Sequence, residues 1–149
     1  ICGLGEVAEA GEVERAALHR KTGLGELRLV FNRWRSDGGP AGGEAVWEMG
    51  GAAANVLLEG LRPPLELRSL FIIYYRGTQL PGWLSSLSKL TKLYLWRCPQ
   101  LESFPPGCQR LPLQTLMVKN CGVLGWRCRA SNGVEYEPFL SQIPHVHVS

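Results

Sequence analysis

The chain has 149 residues, 45% of them hydrophobic and 19% charged, a balance that suits a folded globular unit and excludes a wholly disordered one. Its formal net charge is +3, with Lys and Arg interleaved with Glu rather than gathered into a run, so nucleic acid is not an expected partner. The longest stretches without Asp, Glu, Lys or Arg, Gly77 to Ser88 and Pro138 to Ser149, are too short to span a bilayer and both contain proline, so no membrane segment is expected.

In chain order, Ile1 reads as the tail of a strand whose start lies upstream, with Leu4 and Val7 continuing inward. Ala8 to Lys21 is helical in pattern: Ala10, Val13 and Ala17 share one face, Glu6, Glu9 and Glu12 sit at its start, and His19, Arg20 and Lys21 at its end complement the helix dipole. Leu24, Leu27, Leu29 and Asn32 mark a strand and a sharp turn. The stretch 33–51 is glycine-rich, from Ser36-Asp37-Gly38-Gly39 to Gly50-Gly51, and cannot bury enough apolar surface to fix its backbone. It reads as a flexible insertion, with Trp34 and Trp47 the exceptions, there either to pin parts of it to the body or to meet a partner. A short helix follows, with Asn55 as its N-cap, Val56, Leu57 and Leu61 apolar, and Gly60 and Pro63-Pro64 ending it.

From here one pattern returns. Leu67, Leu70 and Ile72 are followed by Leu90, Leu93, Leu95 and Cys98, then by Leu113, Leu116, Val118 and Cys121, at a step of 23 residues each time. Period and L-x-x-L-x-L-x-x-N/C spacing are those of a leucine-rich repeat, in which each copy supplies one strand and a return segment and buries its leucines only by stacking on its neighbours. The expected fold is α/β: a solenoid fragment of about five repeats over 1–121, with a curved parallel sheet on the concave face and short helices and loops on the convex face. Leu84 and Leu87, then Leu101 and Phe104, are the expected inward residues of the return segments. Leu24 and Leu67 lie 43 residues apart, so about 20 residues beyond the 23-residue step have been inserted between them. The region 122–149 reads as an irregular C-terminal cap, closed by His145-Val146-His147-Val148 alternating like a last strand.

The residues between the leucines emerge on the exposed side of the sheet. Arg28, Phe71, Tyr94 and Met117 make one row; Val30, Ile73, Trp96 and Lys119 make the next; Glu26, Ser69, Lys92 and Thr115 make the one before. An apolar and aromatic patch of Phe71, Ile73, Tyr94, Trp96 and Met117, rimmed by Arg28, Lys92, Arg97 and Lys119, suits a protein partner. The alternative is that these aromatics are simply good strand formers, or that another domain of the same chain covers them.

No catalytic signature is found, and the chain is not expected to be an enzyme. Cys2-Gly3-Leu4-Gly5 lacks a phosphate-loop continuation, and neither a Gly-x-Ser-x-Gly elbow nor His-Glu-x-x-His occurs. His145 and His147 share a strand face but lack further zinc ligands, and Cys98, Cys108, Cys121 and Cys128 are not spaced as paired hooks, so no metal site is expected. Cys108, beside Gln109-Arg110 in a loop, reads as an idle surface thiol. Five cysteines with two of them pointing into the stack, and no Asn-x-Ser/Thr acceptor, favour a reduced, intracellular setting.

The wording of the repeats adds a resemblance. Val56-Leu57-Leu58-Glu59-Gly60-Leu61-Arg62-Pro63, Leu67-Arg68-Ser69-Leu70, Leu80-Pro81-Gly82-Trp83-Leu84 and Cys98-Pro99-Gln100-Leu101-Glu102-Ser103-Phe104-Pro105-Pro106 resemble the leucine-rich-repeat region of plant intracellular nucleotide-binding disease-resistance proteins (NLR proteins). Ile1 to Lys21 is similar to that family's strand and Ala- and Glu-rich helix. The resemblance implies a cytoplasmic immune receptor switched by ATP and ADP, whose repeats recognise a pathogen effector or a guarded host protein and restrain the parent chain's own nucleotide-binding domain. The nucleotide would bind in an upstream domain; no cofactor is expected in these residues. The other class considered is a stand-alone repeat protein acting as an adaptor or enzyme inhibitor.

Overall fold

A computed structural model describes residues 18–31, 51–129 and 136–149. Five strands form one parallel sheet in chain order: β1 (Glu26–Val30), β2 (Ser69–Ile73), β3 (Lys92–Trp96), β4 (Thr115–Lys119) and β5 (His145–Val148). The return segments carry α1 (Gly51–Gly60), α2 (Gly122–Arg129), α3 (Glu137–Ser141) and 3-10 turns at Leu18–Arg20, Gly82–Ser86 and Cys108–Arg110. The architecture is the α/β repeat solenoid that the 23-residue period predicts.

Alternation decides which face is buried. Leu27 and Leu29, Leu70 and Ile72, Leu93 and Leu95, and Leu116 and Val118 point to one side and are almost wholly enclosed. Leu84, Leu87, Leu101 and Phe104 close over them from the return segments, as expected. At the C-terminal end Phe104 meets Tyr136 and Phe139 edge-on, at centroid distances of 5.6 and 5.1 Å, so α3 caps the stack with aromatic contacts.

Register is pinned at both strand ends. The carbonyls of Gly25, Arg68 and Thr91 each accept two successive N–H groups from the start of the next strand, at 2.7 to 3.0 Å. Beyond the strands Tyr74, Arg97 and Asn120 turn the chain with φ of 60, 54 and 55°. Asn tolerates this left-handed conformation; Tyr and Arg adopt it at a cost. Each turn aims the next residue inward. Cys98 Sγ then lies 3.7 Å from the Ile72 carbonyl and 3.6 Å from that of Trp96, and Cys121 Sγ 3.6 Å from that of Leu95 and 3.4 Å from that of Lys119, so small thiols fill this ladder and weakly satisfy its carbonyls.

Tyr75 occupies the same ladder position one period earlier, and it changes the local design. Its ring is fully buried beside Phe31, centroids 5.0 Å apart, and its single O–H is shared between Asn55 Oδ1 and the Gln79 carbonyl, each 2.7 Å from the hydroxyl oxygen. Asn55 is therefore not an N-cap. It sits inside α1, where its side chain also donates to Thr78 Oγ1 at 3.3 Å and accepts from the Gln79 amide at 3.4 Å. The helix begins earlier than the N-cap expectation, at Gly51, a residue counted with the insertion. Gly77 closes this network, because any Cβ there would overlap the Tyr75 ring and Asn55 Oδ1.

Two further expectations are corrected. Gly122 to Arg129 is not irregular but helical; it carries no amphipathic period because only Leu124 and Gly125 are buried while Val123 and Trp126 face out. Cys108 is not a surface thiol: the 3-10 turn that begins with it swings it into the core, 2% exposed. His145–Val148 is a strand, as its alternation predicts. The readings of Ile1 to Ala17, Asn32, and the glycine-rich stretch with Trp34 and Trp47 fall outside the described residues.

Candidate functional site

Among the described residues no element packs over the other face of the sheet, and the strand pairing sorts its side chains into three rows. Glu26, Ser69, Lys92, Thr115 and His145 form the first; Arg28, Phe71, Tyr94, Met117 and His147 the second; Val30, Ile73, Trp96 and Lys119 the third. Neighbours along a row are one strand apart, roughly 4.8 Å.

The second row is built from stacked groups. Phe71 and Tyr94 lie parallel within 2° at a centroid distance of 4.3 Å, and the Arg28 guanidinium sits 4.8 Å from the centroid of Phe71. Arg28 and Tyr94 reach Phe71 from the strands on either side of β2, so both faces of its ring are covered. In the third row Trp96, 40% exposed, stacks on Tyr74 at 6.2 Å, and the Arg97 guanidinium lies 5.7 Å from both ring centroids. Such contacts hold long side chains in place at the surface before any partner arrives.

The charge on this face is one-sided. Arg28, Lys92, Arg97 and Lys119 are exposed, and Glu26 is the only carboxylate among the described residues of the three rows. Arg28 and Glu26 approach to 4.0 Å with both side chains more than half exposed, a weak pair in water. Lys92, Arg97 and Lys119 take part in none of the ion pairs found among the described residues.

All nine residues anticipated for a contact surface, Arg28, Phe71, Ile73, Lys92, Tyr94, Trp96, Arg97, Met117 and Lys119, lie on this face or, for Arg97, at its rim. Sequence reasoning missed three. Tyr74 shares the corner position of Arg97, one period earlier, and that equivalence was the available signal. His145 and His147 extend the first two rows, but 30 residues rather than 23 separate Met117 from its partner His147, so the period could not place them.

Among the described residues no group of three His, Cys, Asp or Glu is gathered to hold a metal ion. Burial pushes the Cys108 thiol up to about 12, and burial together with Cys121 pushes Cys128 up to about 11. The contact with the Cys121 thiol, then burial, holds Cys98 well above the ordinary thiol range. Contact with Cys98 shifts Cys121 the other way, downward, whereas Cys98, Cys108 and Cys128, held in the protonated form, are poor nucleophiles. No helix among the described residues is long and apolar enough to cross a membrane.

Residues 1–121 match the family described as R13L1/DRL21 LRRs. The chain belongs to that leucine-rich-repeat family. The R13L1/DRL21 repeats are of the plant NLR type, which places this chain with the repeat regions of plant disease-resistance proteins. Repeats of the R13L1/DRL21 kind serve protein interaction and are generally not enzymes, so the chain is a recognition module in that general sense. Neither a curated protein nor a solved structure matches it.

Proposed function

We propose that this chain is the recognition module of a cytoplasmic plant disease-resistance receptor, in which the open face senses a pathogen effector or a guarded host protein. The same face contributes to holding the parent chain's nucleotide-binding domain at rest. The observation that supports this reading best is the pre-stacked surface of Arg28, Phe71, Tyr94, Trp96 and Arg97, none of which belongs to the buried core. Clustered aromatic and arginine side chains on a rigid sheet are the residue types that dominate binding energy at protein interfaces. The thiols of Cys98, Cys108, Cys121 and Cys128 are free, which accords with a reducing compartment.

A partner that prefers the released state would shift the resting equilibrium by its differential affinity for the two states. Nucleotide would be held upstream, by a Gly-x-x-x-x-Gly-Lys-Ser/Thr loop that this chain lacks. The test is Tyr94→Ala with Trp96→Ala in the receptor that carries this chain. The expected outcome is loss of the response to its effector, or signalling without one, with a stability loss well below that of a core truncation such as Leu95→Ala. Resting activity and response that both stay at wild-type level would overturn the reading.

A further inference from the structure

We propose that the open face is built for an extended acidic polypeptide segment carrying one or two apolar side chains, an inference that rests on the reading of this face as a protein-recognition surface. The first observation is charge: Lys92 lies on one side of the aromatic row and Lys119 and Arg97 on the other, while Glu26, the single carboxylate among the described residues of the rows, lies beside Arg28. A face with one sign of charge attracts the opposite sign and repels its own.

The second observation is how the rings are turned. An aromatic ring is negative on its faces and positive at its edge. Phe71 and Tyr94 stack on each other along the direction from strand to strand, and Arg28 takes the remaining face of Phe71. Both faces of Phe71 and one face of Tyr94 are thus taken up inside the row, and the edges of these rings point outward to add to the field of the lysines and arginines. The same arrangement disfavours single-stranded nucleic acid, whose bases need free aromatic faces on which to stack.

The third observation is size. The first and third rows are four residues apart, about 13 Å, and five strands span about 19 Å, so a segment crossing the strands meets the face over about six extended residues. Lys92 in the first row and Lys119 in the third flank such a path, and half-buried Phe71 and Met117 of the second row lie on its floor to receive apolar side chains.

The test uses the full chain and three probes: a short fluorescein-labelled peptide mixing Glu and Leu, the same peptide with every Glu replaced by Gln, and oligothymidylate of equal length. Anisotropy should show the Glu peptide binding at least roughly tenfold more tightly than either other probe, and losing roughly tenfold in affinity in the Lys92→Glu/Lys119→Glu variant and in high salt. Both lysines are exposed, and circular dichroism with a urea midpoint checks that the variant stays folded. No binding of the Glu peptide, equal binding of the Gln peptide, equally tight oligothymidylate, or indifference to the charge reversal would each overturn the proposal. Phe71→Ala with Tyr94→Ala separates the two levels. If that pair abolishes peptide binding while charge reversal does nothing, the acidic preference is wrong and the face is still a recognition surface. Should the peptide bind regardless of both pairs, the face itself is misassigned.

Discussion

The two sides of one sheet follow opposite rules. On the buried side each rung repeats the last, Leu27 and Leu29 giving way to Leu70 and Ile72, Leu93 and Leu95, and Leu116 and Val118. On the open side the rungs vary: Arg28, the stacked rings of Phe71 and Tyr94, Met117 and His147 share a row. Uniform volume lets identical coils stack without voids, whereas the open rows bear no packing duty and can vary. Stability should therefore reside on one side and specificity on the other.

The sharpest way to break that division is to cut the buried side. Leu95→Ala removes a wholly enclosed side chain between Ile72 and Val118 and should cost about 2–5 kcal/mol, read from the shift in urea midpoint at constant slope. Gly77→Ala attacks the one place where the ladder is carried by a large ring. Overlap with Tyr75 and Asn55 should cost about 1–3 kcal/mol, and restoring space with Tyr75→Phe should recover little, because Asn55 and the Gln79 carbonyl then lose their donor.

Alkaline pH tests the buried side without changing its shape. The Cys108 thiol is raised from 9.0 to about 12 by burial, so the folded state keeps its proton where the unfolded chain has released it. Its stabilising contribution is complete below pH 9 and declines as pH rises toward 12, by roughly 1 kcal/mol at pH 10. The raised values of Cys128 and of Tyr75, also burial effects first, act in the same direction. Thermal midpoints measured from pH 8 to 10.5 should fall, and less steeply in Cys108→Ala.

The smallest stability change should come from the open side. Tyr94→Ala loses its stack on Phe71, worth about 0.5–1.5 kcal/mol, and leaves every core contact in place. A loss as large as that of Leu95→Ala would show that the ring belongs to the core, and the contrast between the two faces would collapse.

Leucine positions and the three rows were legible because one number, the 23-residue step, fixes both strand register and facing. What escaped depended on contacts between distant residues. Asn55 looks like a cap because Ser, Thr, Asp and Asn usually cap helices, yet its partner is Tyr75, twenty residues on, a side chain that displaces the small ladder residue. Cys108 sits among Gly107, Gln109 and Arg110, a composition that reads as surface, and only the 3-10 turn carries it inward. Gly122 and Gly125 lower helix propensity where α2 forms beside β4 and β5, so tertiary contact outweighs local preference. On the open face the patch was visible, but the stacking of its rings and the two histidines from β5 needed the fold.

The interval between β1 and β2 has a consequence for how such a chain tolerates changes in length. Their Cα partners run from Glu26 and Ser69 to Val30 and Ile73, 43 residues apart, with the same pairing that joins strands 23 residues apart elsewhere. Additional residues are absorbed on the return path and leave the sheet in register. In-frame insertions between a ladder residue and the next leucine would thus lengthen a loop while preserving the contact surface, whereas a single residue added within Leu93 to Cys98 would invert inside and outside for the rest of that strand.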